Sequence, residues 1–272
     1  MNKIALITGA TSGIGKATAT KLAEIGYNII ITGRRGDRLA ALEDELKAKG
    51  IKVLALQFDV RNKEEVHNAI SNLPTEWKNI DILVNNAGLA VGTSPIQDGI
   101  LDDWERMIDT NVKGLLYITH EVAPLMIKNE KGHIVNIASV AGKEVYPGGN
   151  VYCATKHAVD ALSKAMRIDM LKHNIKVTNI APGMVETEFS VVRYKGDQQA
   201  ADNVYKGVTP LTGEDIADTI VFAVTRPAHI CLNDIQIMPT AQASSRDVLF
   251  TSSLIASVPA GTVSPTAKCW FS

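Results

Sequence analysis

Tyr152 and Lys156 stand four residues apart in NVYCATKHAVDALSK, so a helix there presents both on one face. A phenol with a pKa near 10 exchanges protons poorly at neutral pH, and a nearby ammonium favours the phenolate. Bringing that pKa close to neutrality takes roughly 4 kcal/mol of differential stabilisation, within reach of a partly buried site that also holds a positive ring. Ser139 ends the apolar run HIVNIAS, thirteen residues before Tyr152. In an open α/β sheet the ligand crevice lies at the carboxyl ends of the strands, where Ser139 and Tyr152 can meet. Asn111 sits in DTNVKG, inside a long helical pattern.

A second set of residues suits a phosphorylated ligand. TGATSGIG (8–15) lies between an apolar run and a helical pattern. Gly9, Gly13 and Gly15 allow a tight turn and a close backbone approach to phosphate, and the following helix offers free N–H groups. The next apolar run ends in ITGRRGDR (31–38), where a ribose-binding carboxylate would favour NAD. Arg34 and Arg35 stand there instead. Guanidinium groups grip a phosphate, so the pair predicts selection of NADP through its 2′-phosphate. Asp59, in FDVRN, is placed to meet the adenine amino group, with Val60 packing the ring. NNAG (85–88) supplies small, polar backbone close to a ligand.

These residues need a frame that brings strand ends together. The apolar runs 3–8, 28–32, 52–57, 81–84, 133–138, 176–180 and 234–238 alternate with helical patterns at 14–25, 37–49, 62–72, 102–128, 150–173, 197–206 and 213–225. Asp37, Asn62 and Glu214 mark helix starts, and Gly26 and Gly50 mark stops. The alternation predicts a doubly wound parallel α/β sheet with helices on both faces. The 272 residues fit one domain over 1–240, followed by a tail, 241–272, that is rich in Ser, Thr and Ala and without periodicity. That tail reads as an appended, poorly packed end. The polar, interrupted segment 184–212 reads as a substrate lid.

Composition narrows the function. A formal net charge of −1 gives no basic field for nucleic acid, and no apolar run approaches the length of a membrane span. Cys153, Cys231 and Cys269 form no CxxC pair, which points to a reducing compartment, the cytoplasm, and to neither disulfide framework nor metal site.

TGATSGIG, NNAG, Asn111 in NVKG, Ser139, Tyr152-x-x-x-Lys156 and Pro182-Gly183, in that order, resemble the short-chain dehydrogenase/reductase family over about residues 1–240. The resemblance implies a seven-stranded Rossmann-type sheet and a catalytic tetrad of Asn111, Ser139, Tyr152 and Lys156. Tyr152 would be the general acid/base, and Ser139 would hold the substrate oxygen. Lys156 would hold the nicotinamide ribose and lower the pKa of Tyr152, while Asn111 would hold a water. Cofactor contacts would also come from Thr11, Ser12, Ile14, Asn86, Ala87, Gly88, Pro182, Gly183, Val185 and Thr187. Within the family the chain resembles the NADP-dependent 3-hydroxy acid dehydrogenases, most tellingly in EFSVVRYKGD (188–197). That group acts on serine, L-allo-threonine and 3-hydroxypropionate/malonic semialdehyde, and Arg193 is the candidate partner for the substrate carboxylate. PGMVETEF is one residue shorter than the group's pattern. The competing expectations are a reductase of carbonyls without a carboxylate and a non-catalytic NADP-binding regulator. The family also implies a homotetramer built through the helices at 102–128 and 150–173.

Overall fold

In a computed structural model, residues 3–250 are described. Cys269 and the tail from residue 251 lie outside them. The chain alternates strand and helix: β1 (Ile4–Ile7), α1 (Gly13–Glu24), β2 (Asn28–Gly33), α2 (Gly36–Lys47), β3 (Val53–Gln57), α3 (Lys63–Ser71) and β4 (Ile80–Asn85). Then come α4 (Leu101–Ile108), α5 (Leu115–Lys128), β5 (Gly132–Ile137), α6 (Asn150–Met170), β6 (Ile175–Pro182), α7 (Glu188–Arg193), α8 (Gln198–Asn203), α9 (Gly213–Val224) and β7 (Asp234–Ile237).

Among the described residues the strands form one seven-stranded sheet in the order β3-β2-β1-β4-β5-β6-β7, every neighbouring pair parallel. This is the doubly wound sheet that the alternation predicts, and it places a crevice where the order turns back, between β1 and β4. Side chains alternate across each strand, so adjacent residues serve opposite cores. Leu6, Ile30 and Leu83 pack with Val66, Ile118, Met126 and Val159 from α3, α5 and α6. Ile7, Ile29 and Ile31 pack with Leu22, Leu39, Leu42, Ile216 and Ile220 from α1, α2 and α9. No helix among the described residues is long and apolar enough to cross a membrane.

Several boundaries differ from the sequence expectation for local reasons. Asn62 does cap its helix, accepting from the backbone N–H groups of Glu64 and Glu65. Gly26 and Gly50 do follow helix ends, at φ of +84° and +82°. Asp37 lies inside the first turn of α2, whose N-cap is Arg35. Glu214 likewise lies inside α9, capped by Thr212 in a reciprocal capping box with Asp215. The single helix expected over 102–128 is three pieces, because a π-helical turn at Asp109–Gly114 separates α4 from α5. The lid contains α7, which its polar sequence concealed. The first residues of the tail are not loosely appended: Gln242 bridges Val248, and Gln242 and Ser245 are buried.

Candidate active site

The carboxyl ends of the strands open into a cavity of about 400 Å³. Every residue expected at the site lines it except Gly15 and Asn111. At one end is the turn between β1 and α1. Gly9 and Gly13 have φ of +64° and +51°, which side chains rarely adopt. Gly15 is turned away from the cavity. A Cβ there would strike the Gly9 carbonyl and the Asn86 amide, so its smallness lets α1 pack on the strand ends. Asn86 completes the turn, donating to the Thr8 and Gly9 carbonyls at 2.9 and 3.1 Å. Ser12, the N-cap of α1, makes no side-chain cap hydrogen bond, and the first turn holds no acid. The helix therefore presents its N-terminal N–H groups and positive dipole end to the cavity, which suits a pyrophosphate.

The two arginines are unlike. Arg35 donates from Nε and Nη2 to Thr11 Oγ1, at 3.1 and 2.7 Å, and from Nη2 to Ser12 Oγ at 2.9 Å. Its guanidinium is thus built into the phosphate loop. Its remaining edge meets Glu188, where Arg38 joins it. Arg34 is 58% exposed, and its only ion pair among the described residues is with Asp59 at 3.9 Å. The Asp59 carboxylate is gripped by Arg61 at 2.6–3.1 Å. Burial alone would raise its pKa, but hydrogen bonds from Arg61 outweigh that and hold it below the usual carboxylate range.

The reacting group expected from sequence is assembled at the other end. Ser139 caps a short turn after β5, accepting from the Ala141 N–H at 3.1 Å and donating to the Pro182 carbonyl at 3.4 Å, and it lines the cavity with Tyr152. Tyr152 and Lys156 occupy one face of α6, both buried. Lys156 Nζ donates to the Ile137 carbonyl at 2.9 Å and stands 5.9 Å from the centre of the Tyr152 ring. Burial lowers the Lys156 pKa to about 8. The expectation that Lys156 depresses the Tyr152 pKa is not met in the chain by itself. Burial, reinforced by Tyr146, holds the phenol above its ordinary value, against Ser139 and Arg193, which pull it down.

Asn111 works from outside the cavity. Its Oδ1 accepts from the Leu89 N–H at 2.8 Å, and its Nδ2 donates to the Leu89 carbonyl at 2.8 Å and to Thr155 Oγ1 at 3.0 Å. The side chain expected to hold a water thus pins the segment after β4 to α6, beside Lys156. The π-helical turn supplies the bend that aims it there.

Arg193 closes the site from α7. It is half-buried, hydrogen-bonds Tyr146, and lies 5.4 Å from the Tyr146 ring and 6.0 Å from that of Tyr152. Its carbonyl accepts from the Gly92 N–H, and Lys195 pairs with Asp103 at 2.7 Å, so the end of α7 is tied to the segment after β4 and to α4. Residues that sequence reasoning missed complete the lining: Tyr146, Phe189, Tyr205, Gln242 and Ser245. Phe189 stands in EFSVVRYKGD, a segment that carries the resemblance, and could have been noticed there. Gln242 accepts from the Met184 N–H at 2.8 Å, from a tail whose composition gives no such signal.

Three proteins match this chain over nearly their whole lengths. The NADP-dependent 3-hydroxy acid dehydrogenase YdfG of Salmonella typhi is 48% identical over 240 residues, covering 88% of this chain and 96% of its own. Sulfoacetaldehyde reductase 2 of Chromohalobacter salexigens is 46% identical over 246 residues, covering 90% and 97%. The solved closed form of a serine dehydrogenase complexed with NADP+ superimposes with a TM-score of 0.86 at 44% identity, covering 91% of this chain and 99% of that one. Residues 3–198 match the pattern described as short chain dehydrogenase. With the parallel seven-stranded sheet, the glycine turn and the Ser139–Tyr152–Lys156 cluster, these matches lead to one conclusion: the chain belongs to the short chain dehydrogenase family.

Proposed function

We propose that this chain is an NADP-dependent oxidoreductase of short 3-hydroxy acids, interconverting the alcohol and the carbonyl. One observation carries the substrate class: the guanidinium of Arg193 shares the cavity with Ser139 and Tyr152, 6.0 Å from the tyrosine ring. A cation in that position suits a substrate with an anionic group one or two carbons from the reacting carbon.

The bound nicotinamide supplies or accepts the hydride, and its ring is positive in the oxidised form. The protein does the rest. Arg35, held on Thr11 and Ser12, meets the 2′-phosphate, with Arg34 adding charge from the edge. The N-terminus of α1 meets the pyrophosphate. Lys156 holds the nicotinamide ribose, and the segment from Pro182 through Gly183 and Val185 to Thr187 faces the nicotinamide. Ser139 donates to the substrate oxygen, and Tyr152 gives that oxygen a proton in reduction or takes it in oxidation. Burial of Tyr152 keeps it protonated, which is the state reduction needs. For oxidation Tyr152 must take a proton as a phenolate, and the positive charge of a bound oxidised nicotinamide would favour that form. Asn111 positions Lys156 through Leu89 and Thr155.

A sulfonate on the carbon beside the carbonyl would fit the same cation, as the name of one relative suggests. Steady-state kinetics with NADPH over malonic semialdehyde, sulfoacetaldehyde and an uncharged aldehyde separate the readings. Arg193→Ala is expected to raise KM for the two anions about tenfold or more and to leave the uncharged aldehyde unaffected. Equal effects on all three would remove the substrate assignment.

The enzyme works as a homotetramer in the cytoplasm on this reading. Ile108, Leu116, Ile168 and Leu171, on or beside α4, α5 and α6, are 39–76% exposed and would be covered by neighbouring copies. Analytical ultracentrifugation of the purified chain tests this, and a monomer at micromolar concentration would refute it.

A further inference from the structure

Glu188 opens α7, 153 residues after Arg35, yet its carboxylate accepts from Arg35 Nη1 at 3.0 Å and from Arg38 Nη1 at 2.6 Å. The three side chains are 40–48% exposed, so burial does not force the contact. Arg35 divides its donors. Nε and Nη2 are fixed on Thr11 and Ser12, which sets the plane of the guanidinium. Nη1 goes to Glu188. The edge of Arg35 that is not tied to the phosphate loop is thus already holding an anion, and that anion belongs to the lid.

We propose that Glu188 is a specificity-determining residue for the cofactor: its carboxylate occupies the edge of Arg35 and Arg38 that a 2′-phosphate requires, and NADP must displace it. The proposal rests on the reading of Arg35 as the 2′-phosphate site. A carboxylate and a phosphate dianion repel each other at one cationic edge, so the two states exclude one another. NADP affinity is then reduced by the fraction of molecules in which Glu188 holds the arginines. NAD, with a neutral 2′-hydroxyl, does not compete and leaves the pair in place. Burial pushes the Glu188 carboxyl up, but hydrogen bonds from Arg38 and Arg35 outweigh it and hold it below the ordinary carboxylate range. The competitor is therefore charged throughout the neutral range.

Calorimetric titration of the full chain with NADP+, NAD+, adenosine 2′-phosphate and adenosine 5′-phosphate tests this at low salt, in the wild type, Glu188→Gln and Arg35→Ala. Glu188→Gln is expected to tighten NADP+ and adenosine 2′-phosphate about three- to tenfold, leaving NAD+ and adenosine 5′-phosphate within twofold. If Arg35→Ala weakens NADP+ selectively while Glu188→Gln leaves it unchanged or weaker, competition by Glu188 is overturned and the phosphate site stands. If Arg35→Ala weakens NADP+ and NAD+ alike, the phosphate-site reading fails and the proposal falls with it. Circular dichroism of each variant confirms that it is folded.

Discussion

Arg35 spends three hydrogen bonds on Thr11 and Ser12, whereas Arg34 has one loose ion pair and 58% exposure. A guanidinium held in one plane binds a phosphate with less ordering cost than a mobile one. Arg35→Ala is therefore expected to raise the Kd for NADPH about ten- to a hundredfold, and Arg34→Ala only about threefold, with NADH nearly unchanged in both. Fluorescence titration with the reduced cofactors provides the check, and equal losses from the two variants would contradict the argument. The sequence named the pair because both fall at the end of an apolar run. It could not rank them, because the ranking depends on Thr11 and Ser12, more than twenty positions away. Tyr152 and Lys156 were legible for a simpler reason: their spacing places them on one helical face wherever the helix goes. What surrounds that face, including burial strong enough to raise the Tyr152 pKa, is a product of packing.

At the scale of elements, β5 and β6 carry a polar pair through the core. His133 and Thr178 are both buried and share a hydrogen bond of 2.7 Å. Burial, aided by Lys176, lowers the His133 pKa to about 3, so the imidazole is neutral in the fold. The unfolded chain, with an ordinary value near 6.5, binds more protons between those limits. Stability therefore falls as pH drops from about 6.5 towards 3, and this contribution is complete above 6.5. His133→Val is expected to flatten that part of the profile, measured by urea unfolding at pH 7 and pH 4.5. A slope unchanged by the substitution would assign the acid sensitivity to carboxylates instead. The strands themselves were readable because parallel strands in a doubly covered sheet are apolar on both faces. The π-helical turn at Asp109–Gly114 was not, since the 102–128 segment reads as continuous helix. The bend is stabilised by hydrogen bonds that Asn111 accepts from the Leu89 N–H and donates to the Leu89 carbonyl and Thr155 Oγ1, residues distant in sequence. The helix α7 was hidden inside the polar, interrupted segment 184–212, between Gly183 and Gly196.

Across the whole molecule, the cavity is closed by a segment that comes late in the chain. Gln242 accepts from the Met184 N–H, and the Ser245 N–H donates to Glu144, two residues beyond the turn that Ser139 caps. The stretch after β7 therefore braces both the nicotinamide side and the substrate side. Gln242→Ala leaves the Met184 N–H without its acceptor, a loss of about 1–3 kcal/mol. Lower thermal stability and a several-fold higher KM for NADPH are expected. Differential scanning calorimetry and initial rates test it, and an unchanged KM would make the contact purely structural. The order of strands has a broader consequence. Arg34 and Arg35 stand at the end of β2, while Ser139 and Tyr152 follow β5, on the far side of β1 and β4. Preference for a cofactor and preference for a substrate can thus drift separately, because few side chains belong to both regions. The helix α7 is the exception, with Glu188 on the arginines and Phe189 and Arg193 beside Tyr152. Epistasis between the two preferences is expected to concentrate in those six residues, where one exchange alters both traits at once.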